Sequence, residues 1–249
     1  VTAYRSGITD PKELANFMGQ VQHESQNFSK LEENLNYSGT RLYEVFGKRN
    51  GLTPERAEEI ADIKDRTERH QAVGEQVYGG AWGKSELGNT QVGDGYKYRG
   101  RGYMQLTGRD NYTTYGKSTG IDLVNHPELA ATEAHAERLA VRYWKDKVQP
   151  TTSARSDVTQ AGSIINTGEI GGKVKGLEDR QANARAWTAA LDKGYLQDAL
   201  YRRPEALAQL GDTSRELLKD AERHVRALAD KHKLPWDRGM DNTVFAVAQ

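Results

Sequence analysis

Apolar residues in this chain recur three or four positions apart far more often than they alternate, the periodicity of helices that bury one face. The first clear case begins at Asp10-Pro11-Lys12-Glu13, where an N-cap acid, a proline at the first helical position and a capping-box glutamate stand in order. Leu14, Phe17, Met18 and Val21 then define an apolar face, and continuing it reaches Glu24. A second start, Thr53-Pro54-Glu55-Arg56, opens a strongly charged stretch to about residue 77 with Ala57, Ile60 and Ile63 as a thin stripe, which predicts a surface helix pair. Residues 79–102 are dense in glycine and carry Trp82, Tyr96 and Tyr98, a composition that predicts a loop or irregular hairpin bordering a site rather than regular helix. Helical spacing resumes over residues 133–144, 158–166 and 180–192, so the class is mainly α.

Beyond Pro204 the composition shifts. Thr213-Ser214-Arg215-Glu216 forms another capping box, and Leu217, Leu218, Ala221, Val225 and Leu228 line a long helix. A boundary near residues 200–212 divides the chain into a domain over 1–205 and a C-terminal helical extension over 206–249, which also reads as the start of a truncated second module. The chain begins at Val1 rather than methionine and ends on the apolar run Val244-Phe245-Ala246-Val247-Ala248-Gln249, as a fragment of a longer protein would.

Composition narrows the chemistry. The 249 residues are enough for one large core, and the absence of cysteine excludes disulfides, thiolate zinc sites, iron–sulfur clusters and cysteine nucleophiles. With 35 basic and 35 acidic side chains there is no net positive charge to mark a nucleic-acid partner. No apolar run approaches the about 18 residues of a membrane span, and residues 1–20 lack a signal-peptide pattern. His23-Glu24 starts like a zinc-protease helix motif, but Asn27 stands where the second histidine belongs. Gly116-Lys117-Ser118-Thr119-Gly120 has the spacing of a nucleophile elbow, and Tyr112 to Tyr115 could be the preceding strand; the turn-like residues from Ile121 to Pro127 do not supply the helix an elbow feeds. The same glycine and lysine imitate a phosphate loop whose first glycine is here Asn111.

A pair of carboxylates survives. Glu24 ends the apolar face of the first helix, where desolvation would favour its neutral form and suit it to donate a proton. Glu33 lies nine residues on, which in one unbroken helix is the opposite side. A helix stop at Gln26-Asn27-Phe28-Ser29 would instead carry Glu33 back across a cleft, in a more solvated setting, as a base. From the residues alone, two ordinary surface glutamates remain the other reading.

The segments around this pair resemble glycoside hydrolase family 19, the chitinase family that also includes phage endolysins and bacterial muramidases of lysozyme-like fold. His23-Glu24 resembles the family's His-Glu-Thr segment. Tyr98-Arg99-Gly100-Arg101-Gly102-Tyr103-Met104-Gln105-Leu106-Thr107, followed by Asn111-Tyr112, resembles its Tyr-Gly-Arg-Gly-Pro-Ile-Gln-Leu-Ser/Thr signature. Ile121-Asp122-Leu123 with Asn125, Pro127 and Glu128-Leu129, and then Ile164-Ile165-Asn166, follow in the family's order, with Thr167 in place of a glycine. The resemblance spans about residues 10–195. It implies a lysozyme-like two-lobed α+β fold with a catalytic cleft. It also implies Glu24 as general acid, Glu33 as base about 6.5–9.5 Å away if the outcome is inverting, and Thr107 as holder of the attacking water. Gln105 and Asn111 would bind sugar or position water, and Asn166 and Arg180 would support the cleft. Tyr37, Tyr98 and Tyr103 are candidates for flat sugar-binding surface, or equally for helical core.

The long acidic loop that bears the second glutamate in plant chitinases has no counterpart, and Leu31-Glu32-Glu33-Asn34-Leu35-Asn36-Tyr37-Ser38 looks like the endolysin branch. The resemblance therefore implies a muramidase acting on peptidoglycan glycan strands at the bacterial cell wall, needing no metal or organic cofactor, with a chitinase as the runner-up. Two further readings stay open. One is a catalytically silent wall-binding protein; the other is a secreted antibacterial effector whose tail docks a delivery machinery or an immunity partner.

Overall fold

The computed structural model describes residues 1–202 apart from Lys48, together with Arg223 and Ala227. The proposed extension over 206–249, with its capping box, otherwise lies outside the described residues. Within them the chain is a succession of helices: α1 (Thr2–Arg5), α2 (Pro11–Glu24), α3 (Gly39–Phe46), α4 (Pro54–Ala61), α5 (Arg66–Tyr78), α6 (Gly80–Leu87), α7 (Asp94–Lys97), α8 (Arg109–Thr119), α9 (Glu133–Lys147), α10 (Thr152–Ser156), α11 (Val158–Thr167), α12 (Leu177–Asp192) and α13 (Tyr195–Arg202). The mainly α class holds.

Helix α2 starts as its sequence directs, with Asp10 accepting from the Glu13 amide at 2.8 Å, a cap worth about 1 kcal/mol. Glu13 does not reach back to close a capping box. Its carboxylate turns inward and accepts from Trp144 Nε1 at 2.8 Å and Gln149 Nε2 at 2.7 Å, which fastens α2 to α9. Leu14, Phe17 and Val21 bury against Ile8, Ala140, Val141, Trp144 and Ile164, with Phe17 edge-on to Trp144. Helix α12 crosses α2 at Gly19, where an added Cβ would stand 2.7 Å from the Ala184 amide nitrogen; only glycine permits that approach. These elements form one lobe.

The charged pair over 54–78 is more than a surface layer. Ala57, Ile60, Val73 and Val77 close on Leu35, Leu42 and Leu52 to make a separate core, and α3, α4 and α5 form the second lobe around it. The stripe looked thin because half of that core comes from residues outside the pair. Between the lobes, Tyr98, Tyr112, Tyr115, Ile121, Leu123 and Leu139 form a third cluster.

Two local expectations are corrected. Residues 79–102 contain two helices, α6 and α7, because the glycines sit at helix ends and at close contacts: Gly79 caps α6, Gly88 ends it at φ +67°, and Gly83 lies against the Tyr78 carbonyl. Tyr112 to Tyr115 belong to α8 rather than a strand, which removes the remaining support for a nucleophile elbow. The β component is slight among the described residues: antiparallel bridges join Glu32 to Arg101 and Arg101 to Leu106, pinning residues 100–106 as a tight turn between the lobes.

Candidate active site

The turn after α2 builds the site. Ser25 caps the helix with its hydroxyl donating to the Val21 carbonyl at 2.6 Å, and Gln26, Asn27 and Phe28 then adopt φ of 50°, 60° and 62°. Three successive non-glycine residues in the left-handed region cost about 1–2 kcal/mol each, and local bonds offset this. Phe28 N donates to Ser25 Oγ at 2.9 Å, Asn27 N to the Gln22 carbonyl at 2.8 Å, and Gln22 Nε2 to Asn27 Oδ1 at 2.8 Å. The Phe28 ring is held edge-on between Tyr103 and Trp187. The chain reverses as expected, and Leu31 and Glu33 pair with the opposite segment through Gly102 N to Leu31 O at 2.8 Å and Glu33 N to Gly100 O at 2.9 Å.

Glu24 accepts from Arg180 Nη2 at 2.5 Å. Arg180, from the first turn of α12, is 1% exposed and also donates to Gln20 Oε1 at 2.6 Å and the Lys175 carbonyl at 2.9 Å. Oxygen Oε2 of Glu24 has no hydrogen-bond partner among the described residues, so it is the one available to a ligand. Across the site, Glu33 Oε1 accepts from the Gly100 amide at 2.6 Å and Oε2 from the Tyr78 hydroxyl at 2.8 Å. Burial holds its carboxyl above the usual carboxylate range, while the Gly100 and Tyr78 bonds and the charges of Lys30 and Arg99 pull the other way. The settings differ from those expected: Glu24 is ion-paired with a buried guanidinium, and Glu33, expected in a solvated place, is buried. Sequence could not show this, because Arg180 is 156 residues from Glu24 and Tyr78 is 45 from Glu33.

Gln105 and Thr107 meet Glu33 at Gly100. A Cβ added there would lie 3.1 Å from Gln105 Oε1, 3.3 Å from Thr107 Oγ1 and 3.5 Å from the Glu33 carboxyl carbon, so a side chain would fill the space between the three. Gln105 adopts φ +50° and donates to the Gly102 carbonyl at 3.0 Å. Thr107 Oγ1 donates to the Gln105 carbonyl at 2.9 Å, and Asn111 Nδ2 to the Thr107 carbonyl at 2.8 Å. A pocket of about 270 Å³ lined by Gln105, Thr107, Asn111, Tyr143 and Lys147 continues from here. Burial and then the Glu24 charge push the Tyr143 hydroxyl up.

Asn166 acts at one remove. Its Oδ1 accepts from the Lys175 amide at 2.7 Å, fixing the residue whose carbonyl takes Arg180. His23 lies with Nδ1 2.6 Å from Asp179 Oδ2 and its ring against Gly176, so it ties α2 to the start of α12. Tyr37 is half-buried and edge-on to Phe46, its hydroxyl pushed up by burial and by the Glu33 charge. Tyr98 is a correction: it is fully buried, with its ring against Tyr112 and its hydroxyl donating to the Val124 carbonyl at 3.0 Å, and presents no surface to a sugar. Tyr103 is likewise core. Glu32 turns away to pair with Arg99 and Arg101. Among the described residues no three His, Asp or Glu side chains gather as metal ligands, and no helix is long and apolar enough to cross a membrane.

Two fixed carboxylates, Glu24 on Arg180 and Glu33 on Gly100 and Tyr78, with the Thr107 hydroxyl and Gln105 amide beside the second, are the equipment of glycoside hydrolysis. The family model described as chitinase class I matches residues 80–177. A glycosyl hydrolase family 19 domain-containing protein of Haemophilus influenzae is 30% identical over 178 residues, covering 71% of this chain and 78% of that protein. The chain belongs to glycoside hydrolase family 19, and is a glycosidase by that membership. An endochitinase of Avena sativa is 28% identical over 127 residues, 51% of this chain and 60% of its own length. The chain spans 28% of the length of endochitinase 1 of Theobroma cacao, at 34% identity over 90 residues. A solved bacterial family 19 chitinase covers 76% of this chain and 83% of its own at 20% identity and a TM-score of 0.42.

Proposed function

We propose that this protein hydrolyses the β-1,4 bonds of peptidoglycan glycan strands, as a muramidase with inverting chemistry. The observation that carries the catalytic part is the pair of held carboxylates: Glu24 with Oε1 on Arg180, and Glu33 fixed by the Gly100 amide and the Tyr78 hydroxyl beside Thr107 and Gln105. Glu24 protonates the leaving oxygen through Oε2. Glu33 takes a proton from water steadied by Thr107. Burial suits Glu33 to that task, because a carboxylate whose proton affinity is raised toward the working pH is a better base. Gln105 and Asn111 supply amide groups for N-acetyl sugars, Arg180 fixes Glu24, and Asn166 fixes the backbone that holds Arg180.

The substrate rests on the connection between the acids. Its eight residues are used by the left-handed turn and the return to Gly100, too few to raise a wall over the groove as well, which supports a substrate with a lactyl-peptide branch. Chitin has no such branch. The endochitinase relatives favour chitin as the second reading. Digestion of purified peptidoglycan, with mass analysis of the products, is expected to give reducing N-acetylmuramic acid ends, the α-anomer forming first. Reducing N-acetylglucosamine ends would make it a glucosaminidase, and rapid cleavage of chitin oligomers beside inert peptidoglycan would overturn the reading. The wall is then the place of action, and a delivery or immunity partner becomes a question for the extension over 206–249.

A further inference from the structure

We propose that Tyr78 is a positioning residue of the site, donating its hydroxyl to Glu33 Oε2 so that, with the Gly100 amide on Oε1, the carboxylate is held in one orientation. This rests on reading Glu33 as the base. A carboxylate oxygen offers two acceptor directions. The two donors take one on each oxygen and leave the others for water, so the water that meets Glu33 meets a carboxylate that cannot rotate.

Tyr78 is itself fixed more firmly than a residue filling space requires. It is the last residue of α5, and its ring sits edge-on to Phe46 in the second lobe's core. Its carbonyl accepts from Asn89 Nδ2 at 2.8 Å, and Asn89 Oδ1 in turn accepts from the Arg109 amide at 2.8 Å at the start of α8. On either side of it, Asn50 Nδ2 donates to the Gln76 carbonyl at 3.0 Å and the Gly79 carbonyl at 2.8 Å. Gly83 passes so close that a Cβ there would overlap the Tyr78 carbonyl oxygen. Two asparagine side chains and a glycine thus lock the backbone from which the hydroxyl reaches the carboxylate. A merely buried tyrosine needs an acceptor for its hydroxyl; it does not need that acceptor to be the carboxylate at the centre of the site.

The groups facing Glu33 are Tyr78 from α5, the Gly100 amide, Lys30 on the returning turn, Arg99 and Tyr37. Of these, the Tyr78 hydroxyl favours the ionised carboxylate by a direct bond. Its removal must therefore raise the proton affinity of Glu33.

The test is titration of the Glu33 carboxyl carbon by NMR in protein labelled at glutamate, its signal identified by absence from Glu33→Gln. In Tyr78→Phe the midpoint is expected at higher pH than in wild type. With 3-fluorotyrosine placed at 78, a stronger donor of nearly the same shape, it is expected at lower pH. A midpoint unmoved by both overturns the proposal, and the fluorinated variant serves alone should Tyr78→Phe fail to fold. Kinetics then separate this proposal from the reading it rests on. The acid limb of kcat/KM is expected to move up with the NMR midpoint in Tyr78→Phe, with kcat down about tenfold, the scale of one hydrogen bond to a charged group, and KM unchanged. An NMR midpoint that moves while the acid limb stays fixed supports the coupling of Tyr78 to Glu33 and refutes Glu33 as the base.

Discussion

Replacing Glu24 by Gln removes one negative charge and keeps the shape. An amide oxygen can still accept from Arg180 Nη2, and Arg180 retains Gln20 Oε1 and the Lys175 carbonyl. Breaking a buried ion pair by deleting one partner costs about 3–5 kcal/mol. Here Glu24 is 24% exposed and the hydrogen bond survives, so the cost is expected to be about 1–2 kcal/mol, nearer the worth of charge assistance in one hydrogen bond. For a domain of this size that is about 2–8 °C in Tm, leaving the protein folded at 25 °C. The activity loss is expected to be far larger, about 10²–10⁴ for a lost general acid, or about 2.7–5.5 kcal/mol of transition-state stabilisation. Release of reducing ends from purified peptidoglycan at 25 °C measures the second quantity, and thermal unfolding followed by circular dichroism measures the first. Activity within a few fold of wild type would refute Glu24 as the acid. A loss matched by an equal loss of folded protein would refute the separation of chemistry from stability.

Glu33→Gln is expected to abolish most activity while Glu32→Gln costs little, since Glu32 faces Arg99 and Arg101 and not the cleft; equal losses in the same assay would mean the base is misassigned. Because burial raises the Glu33 carboxyl above the unfolded value of 4.5, the folded state binds its proton more tightly than the unfolded state, and wild-type stability from this group falls as pH rises from that value through the folded one. The stability of Glu33→Gln relative to wild type should therefore grow between pH 4 and pH 7 in urea titrations, and a difference independent of pH would contradict the burial effect. Truncation near Pro204 should leave a folded, active domain, because the site residues all precede it; aggregation of the truncated protein would instead assign Leu217, Leu218, Val225 and Leu228 to covering the main core.

The helices with caps and a full apolar face were legible in the sequence: Asp10 and Pro11 start α2 where expected, and α9, α11 and α12 overlap their expected spans. The glycine-rich middle was misjudged because composition counts glycines without showing which lie at helix ends and which let backbones touch. The reversal at residues 26–29 was legible as a stop; its left-handed backbone was not, since none of Gln26, Asn27 and Phe28 is glycine. Motif resemblance named Glu24, Glu33, Gln105 and Thr107, and the structure brings the last three together at Gly100. It misplaced Tyr98, because an aromatic in a motif can serve the core as readily as the groove. Nothing local marked Tyr78 or Tyr143, whose partners are supplied by the folding of distant segments.

The short strut between the two acids has a mechanical consequence. Glu24 belongs to one lobe and Glu33 is clasped to Gly100 and Tyr78 on the other side, yet the two are joined by a turn that is locked along its length. Any breathing of the lobes that widened the gap would have to break the bonds at Leu31 and Glu33 or unwind residues 26–28. The separation of the acids is thus built as a gauge block, set by the chain between them.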